Sequence, residues 1–219
     1  MSSTRFPGKV LHRVAGKPML QYLFERLNRC NGFDAMVVAT SQECEDDSVE
    51  DFCRDMGITC FRGVLANVAH RFIQVVDAYR FDAFVRISGD SPLLDPGLVD
   101  YAVRFFRESE SDLVTNILHR TFPSGQSVEV ICSSAFRRAY GMMRDPEDFE
   151  HVTKVFYKHP DGFRINDFQS LVSYNGVHLS VDTPDEMNRF AAIVCQMQKP
   201  HWQYSLIEIV ELYRQIQMN

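Results

Sequence analysis

Short apolar runs alternate with amphipathic helical patterns from end to end of this chain, and few folds can absorb that alternation. Strands are expected at residues 35–39, 58–61, 83–87, 113–115, 128–131 and 177–181, each short and rich in β-favouring side chains. Between them, Leu20, Leu23, Phe24 and Leu27 share one helical face, as do Val68, Phe72, Val75, Val76 and Tyr79. The repetition predicts an α/β fold with a mostly parallel sheet covered on both faces.

Helix starts are marked in the sequence. Asp95-Pro96 and Asp145-Pro146 each set a capping carboxylate before an N1 proline, and Thr183-Pro184-Asp185-Glu186 reads as a capping box. Residues 205–216 predict a closing helix with Leu206, Ile209, Val210 and Tyr213 inward. With 219 residues and no internal repeat, linker or low-complexity tract, residues 1–219 are expected to form a single domain. The least regular stretch, about 122–168, breaks the alternation and is expected to form a subdomain over the site or a dimer surface.

Composition narrows the class. A hydrophobic fraction of 45% and a charged fraction of 24% suit an ordinary globular protein and exclude disorder. No apolar run approaches the ~20 residues that cross a bilayer, and no secretion signal is recognisable, so a cytoplasmic location with no membrane partner is expected. The six cysteines form no C-x-x-C pair and are expected to be reduced, mostly buried thiols. A net charge of −6 argues against nucleic acid as a partner, because such binding relies on many Lys and Arg contacts to phosphate. Yet no acidic residue precedes Glu25, while Arg5, Lys9, Arg13 and Lys17 supply four cations. A local anion site within an acidic protein follows.

Three constellations carry chemistry. Residues 3–9 contain Arg5, Pro7, Gly8 and Lys9 and are followed by Gly16-Lys17-Pro18 and a helix; a glycine loop with fixed cations near a helix start offers N–H groups and charge to phosphates. It is not a Walker loop, and Pro-Gly-Lys alone is also a common surface turn. Arg86-Ile87-Ser88-Gly89-Asp90-Ser91-Pro92 carries an acid outward from a strand end, where open α/β sheets bind ligands; an Asx-type turn is the structural alternative. Val181-Asp182-Thr183-Pro184 does the same, and because Thr183 can cap the helix, Asp182 is left for another task. Two carboxylates at two strand ends suit one hard cation such as Mg²⁺.

These runs, with Val37-Val38-Ala39-Thr40, resemble the cytidylyltransferase family, which includes synthetases that activate ulosonic and sialic acids as CMP-sugars. Phe61-Arg62-Gly63, His70-Arg71-Phe72 and Glu150-His151-Val152-Thr153 are most similar to its spore coat polysaccharide biosynthesis protein F group. The resemblance implies a three-layer, Rossmann-like fold of the nucleotide-diphospho-sugar transferase type. It implies CTP and a sugar or sugar-acid acceptor as partners, Arg5 and Lys9 on the triphosphate, and Mg²⁺ on Asp90 and Asp182. Ser3, Thr40, Ser41, Arg71 and Ser88 would lie along the nucleotide, with Glu129, Glu150 and His151 on the sugar side. For His151 a hydrogen-bonded helix residue is the alternative.

The function implied is transfer of CMP from CTP to a sugar or ulosonic acid with loss of pyrophosphate, in polysaccharide biosynthesis. The alternative is a non-catalytic nucleotide or nucleotide-sugar binding protein. An NAD-binding oxidoreductase is disfavoured because no G-x-G-x-x-G follows a strand, and a glycosyltransferase because the D-x-D signature is absent. Family members carry an apolar strand and an arginine ahead of the Ser3 motif, and this chain starts inside that motif. Strands 35–39 and 83–87 are therefore expected to lack a partner between them, leaving the phosphate loop poorly anchored and activity weak.

Overall fold

The computed structural model describes residues 5–218. A 3₁₀ turn at Lys9–Leu11 leads into a small antiparallel hairpin of β1 (Arg13–Val14) and β2 (Lys17–Pro18), and then α1 (Met19–Leu27). β3 (Val37–Ser41), α2 (Asp47–Asp55), β4 (Thr59–Gly63), α3 (Val68–Tyr79) and β5 (Ala83–Arg86) follow in strict alternation. After α4 (Pro96–Glu108) come β6 (Leu113–Thr115), β7 (Glu129–Cys132) and the helices α5 (Ser133–Met142), α6 (Pro146–Glu150) and α7 (Lys154–Lys158). β8 (Ile165–Asp167), α8 (Pro184–Gln196) and α9 (Leu206–Met218) complete the chain.

The predicted caps form. Asp95 accepts from the Gly97 N–H at 2.7 Å, and Thr183 and Glu186 close a reciprocal capping box on α8. Leu206, Ile209, Val210 and Tyr213 of α9 are all buried, as its spacing predicts. α3 differs at its end: Tyr79 is exposed and stacks on Phe81, because Arg80 takes the left-handed conformation and turns the chain away from the core.

The fold is α/β, with a mixed sheet. β5, β7, β6 and β8 form one ladder in that order, in which β7 runs antiparallel to both neighbours and β6 pairs parallel with β8. Alternation sorts its side chains. Val114 and Val130, opposite each other, join Leu23, Phe24, Val99 and Val103 on one face; the next rung, Leu113 and Ile131, joins Phe136, Val155 and Phe156 on the other. Helices therefore cover both faces, and the stretch 122–168 supplies β7, β8 and three of these helices.

Two expectations meet a different arrangement. Residues 177–181 are extended but form no ladder strand. Their N–H groups go to two separate loops, Leu179 to the Ser124 carbonyl and Val181 to the Asp90 carbonyl, each at 2.9 Å. Of the six free thiols only Cys53 is fully buried, and Cys44 and Cys195 are exposed.

β3 pairs in parallel with β4 as a separate ladder, and among the described residues neither joins β5. The middle layer is thus in two parts, with a cavity of about 850 Å³ between β3 and β5.

Candidate active site

The loops that leave β5 and precede α8 converge. After β5 the chain runs through Ser88 to Asp90, whose backbone carbonyl accepts from the Val181 N–H. That bond brings residues remote in sequence side by side, so Asp90 and Asp182 face one cation. The Lys9 ammonium lies 2.7 Å from Asp182 Oδ1 and 3.7 Å from Asp90 Oδ2. Arg5, largely exposed, reaches the same Asp182 oxygen at 3.1 Å. Lys9 by contrast is buried, and Gly8 before it takes a left-handed conformation that turns the chain into the 3₁₀ segment.

The second carboxylate is well supported. Glu186 Oε2 accepts from the N–H groups of Asp182 and Thr183, at 2.7 and 2.9 Å, so the capping box that starts α8 also holds the Asp182 backbone. Asp90 accepts from the Ser91 hydroxyl at 3.1 Å. Two carboxylates that converge on one cation supply hard oxygen donors and fit a divalent ion such as Mg²⁺. Among the described residues no group of three potential metal ligands occurs.

Beside this cluster opens a polar cavity of about 400 Å³. Ser88, Asp90 and Asp182 line it, together with Arg86, Arg120, Ser124, His178 and Ser180. The last five were not singled out as site residues by sequence reasoning. Arg86 lay within a motif that could have been read further; Ser124, His178 and Ser180 carry no local signal, since they meet only when two loops dock. That docking is tight. The Ser124 and Ser180 hydroxyls are 2.6 Å apart, and Gly125, at φ +85°, leaves no room for a Cβ, which would sit 2.5 Å from the Ser180 nitrogen.

Glu129 lies behind the cavity wall, fully buried. It accepts from Arg86 at 3.3 Å and from the Tyr157 hydroxyl at 2.7 Å, and that hydroxyl is 2.9 Å from Thr115 Oγ1. Burial, followed by the Glu129 charge, pushes the Tyr157 hydroxyl well above the usual phenol range, so it stays a proton donor. Glu129 thus pairs with Arg86, whose guanidinium lines the cavity.

Thr40, Ser41 and Arg71 form a separate polar cluster where β3 and β4 end. Asp46 Oδ2 accepts from the Thr40 hydroxyl at 2.6 Å and from Ser41 at both hydroxyl and N–H. Burial alone would raise the Asp46 pKa, but hydrogen bonds, those from Ser41 and Thr40 among them, outweigh it and hold the carboxyl well below its usual range. Arg71 is buried and donates to the Val64 and Leu65 carbonyls, at 2.6 and 3.0 Å, while its Nε has no partner among the described residues. Thr40 and Ser88 both line the larger cavity between β3 and β5. Glu150 and His151 are exposed at the end of α6, and neither lines the polar cavity. Ser3 lies outside the described residues.

Comparison with known proteins places this geometry in a family. The cytidylyltransferase family matches residues 1–217. The chain is 29% identical over 200 residues to the spore coat polysaccharide biosynthesis protein SpsF of Bacillus subtilis, covering 88% of this chain and 82% of that protein. Its fold is similar to that of a cytidylyltransferase from Leptospira borgpetersenii, with a TM-score of 0.94 at 24% identity over 100% of this chain and 92% of that one. It is also similar to a CMP:2-keto-3-deoxy-manno-octonic acid synthetase complexed with CTP, with a TM-score of 0.68 at 18% identity over 89% and 95% of the two chains. No helix is long and apolar enough to cross a membrane among the described residues. A match across nearly the whole length, on a fold of this type, establishes that the chain belongs to the cytidylyltransferase family.

Proposed function

We propose that this protein transfers CMP from CTP to a sugar or ulosonic acid, releasing pyrophosphate, in the synthesis of a cell-surface polysaccharide. The observation that carries this reading is the convergence of Asp90 and Asp182 on Lys9, with Arg5 at the rim, beside a hydroxyl-lined cavity. Family membership and the relatives' names support the nucleotide and the class of product.

The chemistry asks for placement and charge. An acceptor oxygen attacks the α-phosphorus of CTP in line, and the bond to the β-phosphate oxygen breaks as pyrophosphate leaves opposite. Lys9 and Arg5, already drawn to this spot by carboxylates, neutralise charge that moves toward the leaving group. Asp90 and Asp182 would hold Mg²⁺, which would supply charge stabilisation to the phosphates. Ser88, Ser124, Ser180 and His178 offer donors and acceptors to a hydroxyl-rich acceptor, and Arg86 and Arg120 offer charge to its acid group.

The test is pyrophosphate release from each of the four nucleoside triphosphates with Mg²⁺, against a panel of ulosonic acids and sugar phosphates. Release with CTP and a sugar acid is expected. CTP binding without release under every combination would support the non-catalytic alternative instead.

A further inference from the structure

Directly opposed residues of neighbouring strands present their side chains on the same face of a sheet. In the four-stranded ladder the register sets Arg86 of β5 opposite Glu129 of β7, and Glu129 opposite Thr115 of β6. These residues form one polar rung. The next rung on that face, Phe84, Ile131 and Leu113, is apolar and packs with Phe136 of α5 and Val155 and Phe156 of α7. A carboxylate beside such a rung is not explained by stability, because desolvation of a buried ion pair largely offsets its attraction.

The pair is lopsided. The Glu129 side chain is fully buried, whereas that of Arg86 is 28% exposed and lines the polar cavity. Among the described residues the Arg86 guanidinium bonds to Glu129 alone, through Nη1 at 3.3 Å, which leaves its other N–H groups for a ligand. The acid end is itself held. Tyr157 of α7 donates its hydroxyl to Glu129 Oε1 at 2.7 Å. Thr115 Oγ1 lies 2.9 Å from the Tyr157 oxygen and accepts from the Ile117 N–H at 3.2 Å, so the Thr115 proton is free to go to Tyr157. Every donor in the chain then points toward Glu129, and both of its oxygens are engaged. The other arginine of the cavity, Arg120, is exposed and reaches only the neutral Ser127 hydroxyl, at 3.4 Å.

We propose that Tyr157 is a positioning residue for acceptor binding: its hydroxyl fixes Glu129, and Glu129 fixes the Arg86 guanidinium for an oxyanion group of the acceptor. The proposal rests on the reading of the polar cavity as the acceptor site. A planar guanidinium held in place matches the paired oxygens of a carboxylate or phosphate and gives up little freedom when it binds them. Losing the hold therefore weakens acceptor binding and leaves the nucleotide side alone.

The test titrates the panel of ulosonic acids and sugar phosphates into the isotope-labelled full chain and follows the Arg86 Nε–H resonance by NMR; the two arms of the panel separate carboxylate from phosphate. At least one member is expected to shift that resonance. Tyr157→Phe keeps the ring and removes the hydroxyl; it should weaken the Kd for that member by about tenfold, lower the order parameter of the Arg86 Nε–H, and leave the Kd for CTP within about twofold. Glu129→Gln, close in shape but uncharged, should have the same three effects and serves where Tyr157→Phe folds poorly. In an Arg86→Lys background, calorimetry should find that Tyr157→Phe changes the acceptor Kd by less than about twofold, since its effect runs through Arg86. An unchanged Arg86 order parameter, an equal loss of CTP affinity, or the full loss persisting in the Arg86→Lys background would make Tyr157 a merely structural residue and overturn the proposal. So would a panel in which no member shifts Arg86. None of these measurements needs turnover, so failure to release pyrophosphate would end the transferase reading and leave the binding result standing.

Discussion

Within the middle layer, all of β6 and residues 129–131 of β7 are buried, whereas residues 37–40 of β3 and all four residues of β5 are only half-buried. Both regions are apolar and of similar length, so composition does not separate them. What differs is the edges. β6 and β7 have a strand on each side, while among the described residues β3 and β5 each have one strand and, between them, the cavity as a slot. A strand's own side chains secure burial only when its backbone is also paired, because an open edge admits solvent to the ladder.

The largest expected effect lies in the closed region, at the dock between residues 124–125 and 179–180. Gly125→Ala combines a left-handed backbone with a backbone clash, and should cost about 3–4 kcal/mol in chemical denaturation. Gly16 has nearly the same φ, +80°, but nothing within 4 Å of its would-be Cβ; Gly16→Ala should cost only about 1–2 kcal/mol. Equal losses at the two positions would show that conformation alone, rather than the dock, decides.

A direct comparison of the regions uses one side chain in both. Val114 of β6 is fully buried and Val38 of β3 is half-buried on the same core. Val114→Ala should lose about 2–3 kcal/mol, by transfer plus a residual cavity, and Val38→Ala about 1 kcal/mol or less. Similar losses would mean that the slot is closed in solution.

The smallest effect concerns the junction of α1 with the 3₁₀ turn at His201–Gln203. His201 Nε2 lies 2.6 Å from Glu25 Oε2. Burial lowers the His201 pKa, more than the Glu25 bond raises it; for Glu25, burial raises the pKa but bonds from Lys17, His201 and Gln21 bring it below its usual value. Both groups are depressed on folding. The His201 contribution is therefore complete above about pH 6.5 and lost as pH falls through its folded value, and the Glu25 contribution is lost only below about pH 4.3. Stability by urea titration should fall between pH 7 and pH 5, and His201→Gln should flatten that fall.

Much of this was legible in the sequence where the signal is local. Asp95-Pro96 and Thr183-Pro184 start helices because caps and N1 prolines act within one turn, and the α9 spacing names its buried face. Asp90 and Asp182 were legible as strand-end acids, and the structure brings them to one ammonium. What could not be read depends on long-range docking. The antiparallel course of β7 leaves no trace in an apolar run, and Ser124, His178 and Ser180 become neighbours only through the fit at Gly125. Glu129 shows the same limit: the resemblance implies a place on the sugar side, and only the register of β7 reveals that it is buried and paired with Arg86.

The central claim is that Asp90 and Asp182 serve phosphate chemistry rather than holding the loops together. Pyrophosphate release from CTP, measured side by side for the wild type, Asp90→Asn and Asp182→Asn at matched melting temperature, tests it most directly. Each variant should fold and lose about 10²-fold or more in turnover, the scale of a lost transition-state contact. Wild-type turnover in either folded variant would contradict the account.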